Sequence, residues 1–239
     1  MIFEKKYTVE NRDIESQYKA TNKALLKYLE NIACKHSDEL GYGIGTIGQT
    51  KIVWILLDWK FQVIKRPVYG QTLTVRTWSR KIEKCTAYRD FEIYDENKNL
   101  LVIASSKWVT LNSETRKIRR IDEKMIEKYE SEPERAVFKE EIEKISEPEN
   151  EDSSIKLKIR RTDIDINNHV NNLNYLDLAY EVLPEDVYKE EIKNIRITYK
   201  HQTQLGETVN IFYAKQENKN VITIKTEDKT ELHAIIELW

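Results

Sequence analysis

One short segment of the chain gathers the side chains that proton chemistry needs. Residues 165–172 read Asp-Ile-Asn-Asn-His-Val-Asn-Asn, which brings together a carboxylate, carboxamides and an imidazole. Histidine titrates near neutral pH, and a neighbouring carboxylate or carboxamide can select its tautomer, so the set is suited to general acid–base catalysis. Because Asp165, Asn167 and His169 alternate, an extended backbone would point all three side chains to one face. We therefore treat these three residues as a candidate catalytic group.

A helix is predicted directly after this segment. Apolar residues return at helical spacing between about Asn172 and Val182, which indicates one buried face. The free N–H groups at the start of such a helix can stabilise a developing negative charge. The alternative interpretation is a polar loop whose Asn and Asp side chains only cap the helix. From this segment alone, both interpretations stay open.

The composition limits the classes of protein to which the chain can belong. It has 239 residues, of which 40% are hydrophobic, and a formal net charge of −2. That charge argues against nucleic-acid binding, which needs a clear basic excess. No apolar run approaches the length of a membrane span and no signal peptide is recognised, so we expect a cytoplasmic protein. The two cysteines, Cys34 and Cys85, form no disulfide or zinc pattern, and we expect no metal ion or other cofactor.

The two halves of the chain repeat one plan. Each half predicts a helix followed by four strands, with the helices near 21–36 and 172–182 and the strands near 52–63, 72–79, 88–94, 101–111, 195–199, 208–214, 221–226 and 232–239. Segment 70–75, at the start of a strand, is echoed by segment 206–211, which supports an internal duplication. The pattern predicts an α+β fold in which an antiparallel sheet wraps around a central helix in each unit.

The predicted domain boundaries follow from this repeat. An N-terminal unit covers residues 1–128, and a C-terminal unit covers residues 153–239. The acidic segment 129–152 contains two prolines and predicts a helix followed by a linker. Residues 13–18, which precede the first helix, match the segment at 165 only approximately and lack counterparts of Asn167 and His169. One active site per chain is therefore predicted, in the second half.

Several segments together resemble a known family. Residues 165–175 are similar to an Asp-x-Asn-x-His-Val-Asn-Asn segment, with supporting similarities at 52–54, at Arg66-Pro67 with Gly70, and at 106–109. These are features of the fatty acyl-acyl carrier protein thioesterases of plants and bacteria, and the resemblance covers nearly the whole chain. It implies a tandem double hotdog, in which the N-terminal hotdog binds the acyl chain and the C-terminal hotdog is catalytic.

The resemblance also implies an activity and its residues. The enzyme would hydrolyse fatty acyl-acyl carrier protein to a free fatty acid and the holo carrier protein, which ends chain elongation, with Asp165, Asn167 and His169 as catalytic residues. Plant members of the family have a Glu-Cys pair thought to assist catalysis, where this chain has Gln202 and Thr203. A carboxamide positions water but does not accept its proton at neutral pH. The base is then His169 or Asp165, unless the nearby Glu207 takes that part.

The mechanism that these residues suggest needs no cofactor. His169, oriented by Asn167 or Asp165, activates a water molecule that Gln202 positions, and the backbone N–H groups of Val170 and Asn171 stabilise the oxyanion. A covalent route, in which Asp165 attacks the thioester, stays open.

The implied partner is the acyl carrier protein. Since that carrier is acidic, basic clusters become docking candidates, and the residues concerned are Arg116, Arg119, Arg120, Arg160 and Arg161. A homodimer is compatible with the sequence but not required. Two other functions remain as alternatives: a hotdog hydratase acting on an enoyl thioester, and a non-catalytic acyl-binding regulator.

Overall fold

The computed structural model describes residues 1–239, which fold as two compact units, Met1–Ile142 and Glu143–Trp239. Each unit combines one antiparallel sheet of five strands with a helix that packs against it. None of the helices has both the length and the apolar character that crossing a membrane requires.

The N-terminal unit is built around one long helix. Its strands are β1 (Phe3–Thr8), β2 (Ile52–Val63), β3 (Thr72–Glu83), β4 (Thr86–Tyr94) and β5 (Leu100–Asn112), and its helices are α1 (Asn22–Glu39), α2 (Ile47–Thr50) and α3 (Glu123–Tyr129). The strands pair in the order β1-β3-β4-β5-β2, and α1 packs against β1 and β3. Thr21 caps α1 by accepting the Ala24 N–H at 3.1 Å. Leu25, Leu29 and Ile32 follow at helical spacing and are fully buried, which explains why α1 lies on the sheet.

The C-terminal unit has the same topology. Its strands are β6 (Ser153–Lys158), β7 (Asn194–Tyr199), β8 (Thr208–Gln216), β9 (Lys219–Thr226) and β10 (Leu232–Leu238), and its helices are α4 (Asn174–Tyr180) and α5 (Glu185–Tyr188). The strands pair in the order β6-β8-β9-β10-β7, and α4 packs against β9 and β10. Each position in this order has its counterpart in the N-terminal sheet. The turns before β3 and β8 also agree, because Gly70 and Gly206 adopt left-handed φ values of +78° and +82°.

The structure changes several of the predicted elements. The two edge strands β1 and β6 were not predicted, because both are short and rich in exposed lysines. The helix predicted within 129–152 is wrong: α3 ends at Tyr129, and residues 130–152 form neither helix nor strand. Helix α4 is shorter than the predicted 172–182, because the side chain of Asn171 accepts the Leu173 N–H and forms a turn before the helix.

Candidate active site

The candidate catalytic segment is a tight loop and not an extended strand. Ile164 pairs with Val170, and the Asp165 N–H donates to the carbonyl of His169 at 2.9 Å. The Asn168 N–H closes the turn by donating to the Asp165 carbonyl at 3.1 Å, and Asn168 has a φ of +62°. The alternation of Asp165, Asn167 and His169 therefore does not place them on one face of a strand. Asp165 and His169 lie opposite each other at the base of a hairpin, with Asn167 near its tip.

The carboxylate of Asp165 shapes this loop. One carboxylate oxygen accepts the backbone N–H of Asn167 at 2.8 Å, and the other accepts its side-chain amide at 3.4 Å. This is the Asx turn that Asp favours, and the left-handed conformation of the following Asn168 is one that Asn tolerates well. The expected contact from Asp165 or Asn167 to the imidazole is absent in this conformation. Asp165 and Asn167 form hydrogen bonds with each other and affect the position of His169 only through the backbone of the loop.

His169 has a half-buried imidazole without a side-chain partner. Its Nδ1 atom is enclosed and makes no hydrogen bond within the protein. Its backbone lies against a second segment, because His169 pairs with Gln204. The position of His169 is thus set by main-chain pairing on both sides of the loop, while the ring nitrogens stay uncommitted.

The predicted oxyanion donors are already engaged. The Val170 N–H donates to the carbonyl of Thr203 at 2.9 Å, and the Asn171 N–H donates to the carbonyl of Asp163 at 2.9 Å. Both bonds belong to the pairing that holds the loop in place. The structure therefore speaks against Val170 and Asn171 as oxyanion donors.

Gln202 lies exposed on the segment that faces the loop. Its neighbour Thr203 is fully buried, and the Thr203 hydroxyl lies 2.8 Å from that of Tyr175 in α4. The Thr203 hydroxyl is occupied by this contact. Glu207 is engaged as well, since its carboxylate accepts the Gln204 N–H at 3.1 Å and closes the turn before β8.

Two tyrosines that the sequence analysis does not identify pack against the loop and the segment that faces it. Tyr175 is 3% exposed, and burial raises the pKa of its phenol, so the hydroxyl stays protonated and able to donate. Tyr199 donates to the carbonyl of Asn172 at 2.9 Å, and its ring packs edge-on against that of Tyr175 with 5.5 Å between centroids. Aromatic residues at these positions fit a core pattern equally well, so periodicity alone does not reveal them.

The equivalent place in the N-terminal unit has no histidine. Ile14 pairs with Ala20 as Ile164 pairs with Val170, so Lys19 takes the position of His169. Lys19 pairs with Val68 as His169 pairs with Gln204, so Arg66 takes the position of Gln202. Arg66 donates to the carbonyl of Ala20 and to the side chain of Asn22, both at 2.9 Å. These contacts link the segment at Arg66 to Ala20, at the end of the preceding loop, and to Asn22, the first residue of α1.

The five arginines predicted to dock the carrier differ in whether their side chains already have hydrogen-bond partners. The guanidinium of Arg160 donates to the buried carboxylate of Asp163, with the shortest of these bonds at 2.8 Å, so this arginine already has an ion-pair partner. Arg119 donates to the carbonyl of Thr50 at 2.7 Å. The side chains of Arg116, Arg120 and Arg161 are exposed.

The fold matches solved structures over nearly its whole length. An acyl-ACP thioesterase from Bacteroides thetaiotaomicron superposes with a TM-score of 0.88 at 21% identity, covering 99% of this chain and 96% of that one. The 12:0-ACP thioesterase from Umbellularia californica superposes with a TM-score of 0.84 at 18% identity, covering 99% and 96%. The predicted tandem double hotdog of class α+β is thereby confirmed.

Sequence comparison points to proteins of the same kind. Oleoyl-acyl carrier protein thioesterase 1, chloroplastic, from Arabidopsis thaliana is 26% identical over 228 residues, which cover 87% of this chain and 62% of that protein. The chain thus spans less than two thirds of the length of this curated plant relative. The family model of the acyl-ACP thioesterase N-terminal domain matches residues 1–129, and that of the acyl-ACP thioesterase C-terminal domain matches residues 146–237. The chain belongs to the acyl-ACP thioesterase family.

Proposed function

We propose that the protein hydrolyses fatty acyl-acyl carrier protein to a free fatty acid and the holo carrier protein. Family membership supports the reaction, and one structural observation carries it. His169 offers a half-buried imidazole with uncommitted ring nitrogens, held by backbone pairing between the loop at 165–172 and the segment at Gln204. A histidine imidazole whose ring nitrogens are not hydrogen-bonded within the protein can act as a general base toward water.

In the proposed mechanism, His169 takes a proton from water while the water oxygen bonds to the thioester carbonyl carbon. The tetrahedral intermediate then collapses, the carbon–sulfur bond breaks, and the imidazolium returns the proton to the departing thiolate. Asp165 and Asn167 keep the loop in shape through their mutual hydrogen bonds. The backbone N–H groups of Val170 and Asn171 are already hydrogen-bonded within the protein. The exposed carboxamides of Asn167 and Gln202 are therefore the groups that orient the water and stabilise the oxyanion in this proposal.

The two units have different parts in this proposal. The C-terminal unit, residues 153–239, is catalytic, and the N-terminal unit, residues 1–128, binds the acyl chain, with 129–152 as the linker. The replacement of His169 by Lys19 at the equivalent position supports this division. We also assign the protein to the cytoplasm, where a reducing environment keeps Cys34 and Cys85 as the free thiols that the structure contains.

The test is a thiol-release assay on acyl-carrier thioesters of several chain lengths. Hydrolysis by the wild-type protein, and a loss on the order of 100-fold in His169→Ala, is the expected result. Lys19→Ala is the matched control, because it alters the equivalent position of the N-terminal unit, and we expect its turnover to equal that of the wild type.

The same assay separates the alternatives. Loss of enoyl absorbance without thiol release would indicate a hydratase. Saturable binding of the acyl carrier with neither reaction would indicate a regulator. Near wild-type turnover in His169→Ala would contradict the proposed base.

A further inference from the structure

A buried pair of hydroxyl groups lies beneath the catalytic loop. The Tyr175 and Thr203 hydroxyl oxygens are 2.8 Å apart, and the Thr203 N–H donates to the Tyr175 oxygen at 3.2 Å. Thr203 is fully buried and Tyr175 is 3% exposed. The pair therefore joins α4 to the segment before β8 through polar contacts enclosed in the interior.

The N-terminal unit builds the same local structure without this pair. The pairing of Ile14 with Ala20 and of Ile164 with Val170 aligns Leu25 with Tyr175. The pairing of Lys19 with Val68 and of His169 with Gln204 aligns Pro67 with Thr203. Leu25 and Pro67 are buried, and Pro67 still accepts the Ala20 N–H at 2.9 Å, as Thr203 accepts the Val170 N–H.

The hydroxyl pair is thus not a requirement of the fold. Two buried polar groups that satisfy each other are often no more stabilising than well-packed apolar side chains of similar size. The Leu25 and Pro67 positions show that this topology accepts the apolar solution. A polar pair that occurs in the unit with the imidazole, and is absent from the unit without it, points to a role at the site.

The contacts of Thr203 define that role. Its carbonyl accepts the Val170 N–H at 2.9 Å, and the next residue, Gln204, pairs with His169. A shift of Thr203 along or away from α4 would therefore move the backbone of His169 directly. The buried hydroxyl of Tyr175 binds both the side chain and the N–H of Thr203, which restrains such a shift in two directions.

We propose that Tyr175 and Thr203 are positioning residues, whose hydroxyl pair fixes the segment that aligns His169 with the thioester carbonyl. This inference rests on the proposed thioesterase function for its kinetic consequence. Misplacing a catalytic group by about 1 Å can lower a rate by roughly 100-fold. Removing either hydroxyl releases the same segment, so the two losses are coupled.

The test uses Tyr175→Phe, Thr203→Val, the double variant of both, and a second double variant, Tyr175→Leu with Thr203→Pro, that installs the residues of the N-terminal unit. With the acyl-carrier thioester we expect kcat to fall roughly 10- to 100-fold while KM changes less than about twofold. We expect the double Phe/Val variant to be no slower than the slower single variant, because residues that act as a unit are not additive.

Tyr213→Phe is the matched control. Tyr213 is also buried in the C-terminal unit, and its hydroxyl donates to the side chain of Asn220 at 3.0 Å, away from the loop. We expect this variant to keep the wild-type kcat. A comparable loss of kcat in Tyr213→Phe, or wild-type kcat in all the pair variants, overturns the proposal.

A second measurement does not depend on turnover. The imidazole NMR signals of His169, assigned with His169→Gln, are expected to shift or broaden in Tyr175→Phe and Thr203→Val, whereas those of His36 in the N-terminal unit stay unchanged. Unchanged His169 signals in both variants overturn the positioning role. If the wild-type protein releases no thiol, the proposed function fails, and the NMR result alone decides the positioning role.

Discussion

Glu207 and Gln71 occupy equivalent positions in the two units and make the same hydrogen bond. The Glu207 carboxylate accepts the Gln204 N–H at 3.1 Å, and the Gln71 carboxamide oxygen accepts the Val68 N–H at 3.2 Å. Each bond closes the turn that leads through a left-handed glycine into the following strand. A carboxamide therefore closes this turn as well as a carboxylate does. The structural role of Glu207 can accordingly be tested apart from any role in catalysis.

The first prediction concerns the charge of Glu207. In Glu207→Gln the carboxamide should close the turn as Gln71 does, so we expect the free energy of unfolding to change by less than about 1 kcal/mol. With His169 as the base, we expect turnover to stay within about threefold of the wild type. Urea unfolding and the thiol-release assay check both points. A loss of 100-fold in a fully stable variant would show that Glu207 supplies the carboxylate that Gln202 lacks.

The second prediction distinguishes two parts for Asp165. An asparagine at this position can still accept the Asn167 N–H, so Asp165→Asn should preserve the Asx turn. If Asp165 only shapes the loop, we expect kcat to fall by roughly tenfold or less, well short of the loss in His169→Ala.

A covalent route would give a different outcome. If Asp165 attacked the carbonyl, Asp165→Asn would abolish turnover. If water then attacks the aspartyl carbonyl of the resulting anhydride, a single turnover in ¹⁸O-water places label in the Asp165 carboxylate, which is detectable by peptide mass spectrometry. Absence of label with retained activity in Asp165→Asn supports His169 as the base.

The strands were the most predictable part of the fold. β2 was predicted with its observed bounds, Ile52–Val63, because β-branched and aromatic residues recur along the whole segment. The edge strand β1, by contrast, reads Phe-Glu-Lys-Lys-Tyr-Thr, and its charged composition hides a strand that forms only by pairing with β3. Pairing between segments distant in sequence is not visible in local periodicity.

The site was predictable by residue type but not by geometry. The order Asp165, Asn167, His169 is compatible with both an alternating strand and an Asx turn. The hydrogen bonds between Asp165 and Asn167 show that the segment forms the turn. The partner of Tyr175 lies 28 residues along the chain at Thr203, where no spacing rule connects a helix residue to a turn residue. The engaged amides of Val170 and Asn171 likewise depend on carbonyls supplied by the fold.

The third prediction concerns the carrier protein. Both arginines beside the loop are exposed, but the guanidinium of Arg160 is already paired with the buried carboxylate of Asp163. We expect Arg161→Glu to raise KM for the carrier-bound substrate by roughly 3- to 10-fold, since a rim charge acts mainly on encounter. Hydrolysis of a short soluble thioester should be unchanged.

Arg116→Glu is the comparison for this prediction. It makes the same charge reversal at an exposed site of the N-terminal unit, so both variants have the same net charge. We expect its KM to stay within about twofold of the wild type. The reverse ranking of the two variants would move the docking surface to the cluster of Arg116, Arg119 and Arg120.

The fourth prediction is a pH dependence of stability that arises far from the catalytic loop. His36 in α1 is 1% exposed, and its Nδ1 atom accepts a hydrogen bond from the buried guanidinium of Arg89 at 3.0 Å. Burial, and then the positive charge of Arg89, lowers the pKa of His36 to about 3. The folded protein therefore keeps this imidazole neutral at pH values where the unfolded chain binds a proton.

Stability should be lost as the pH falls below the ordinary histidine pKa of about 6.5. Between pH 7 and pH 5 we expect His36 to lower the free energy of unfolding by about 2 kcal/mol. Urea unfolding followed by tryptophan fluorescence reports mainly on the N-terminal unit, because four of the five tryptophans lie there. In His36→Gln the amide oxygen can still accept from Arg89, and the additional loss at pH 5 should disappear. His201→Gln, at an exposed histidine, should retain the wild-type pH dependence, and the same loss in His36→Gln would assign the effect to other groups.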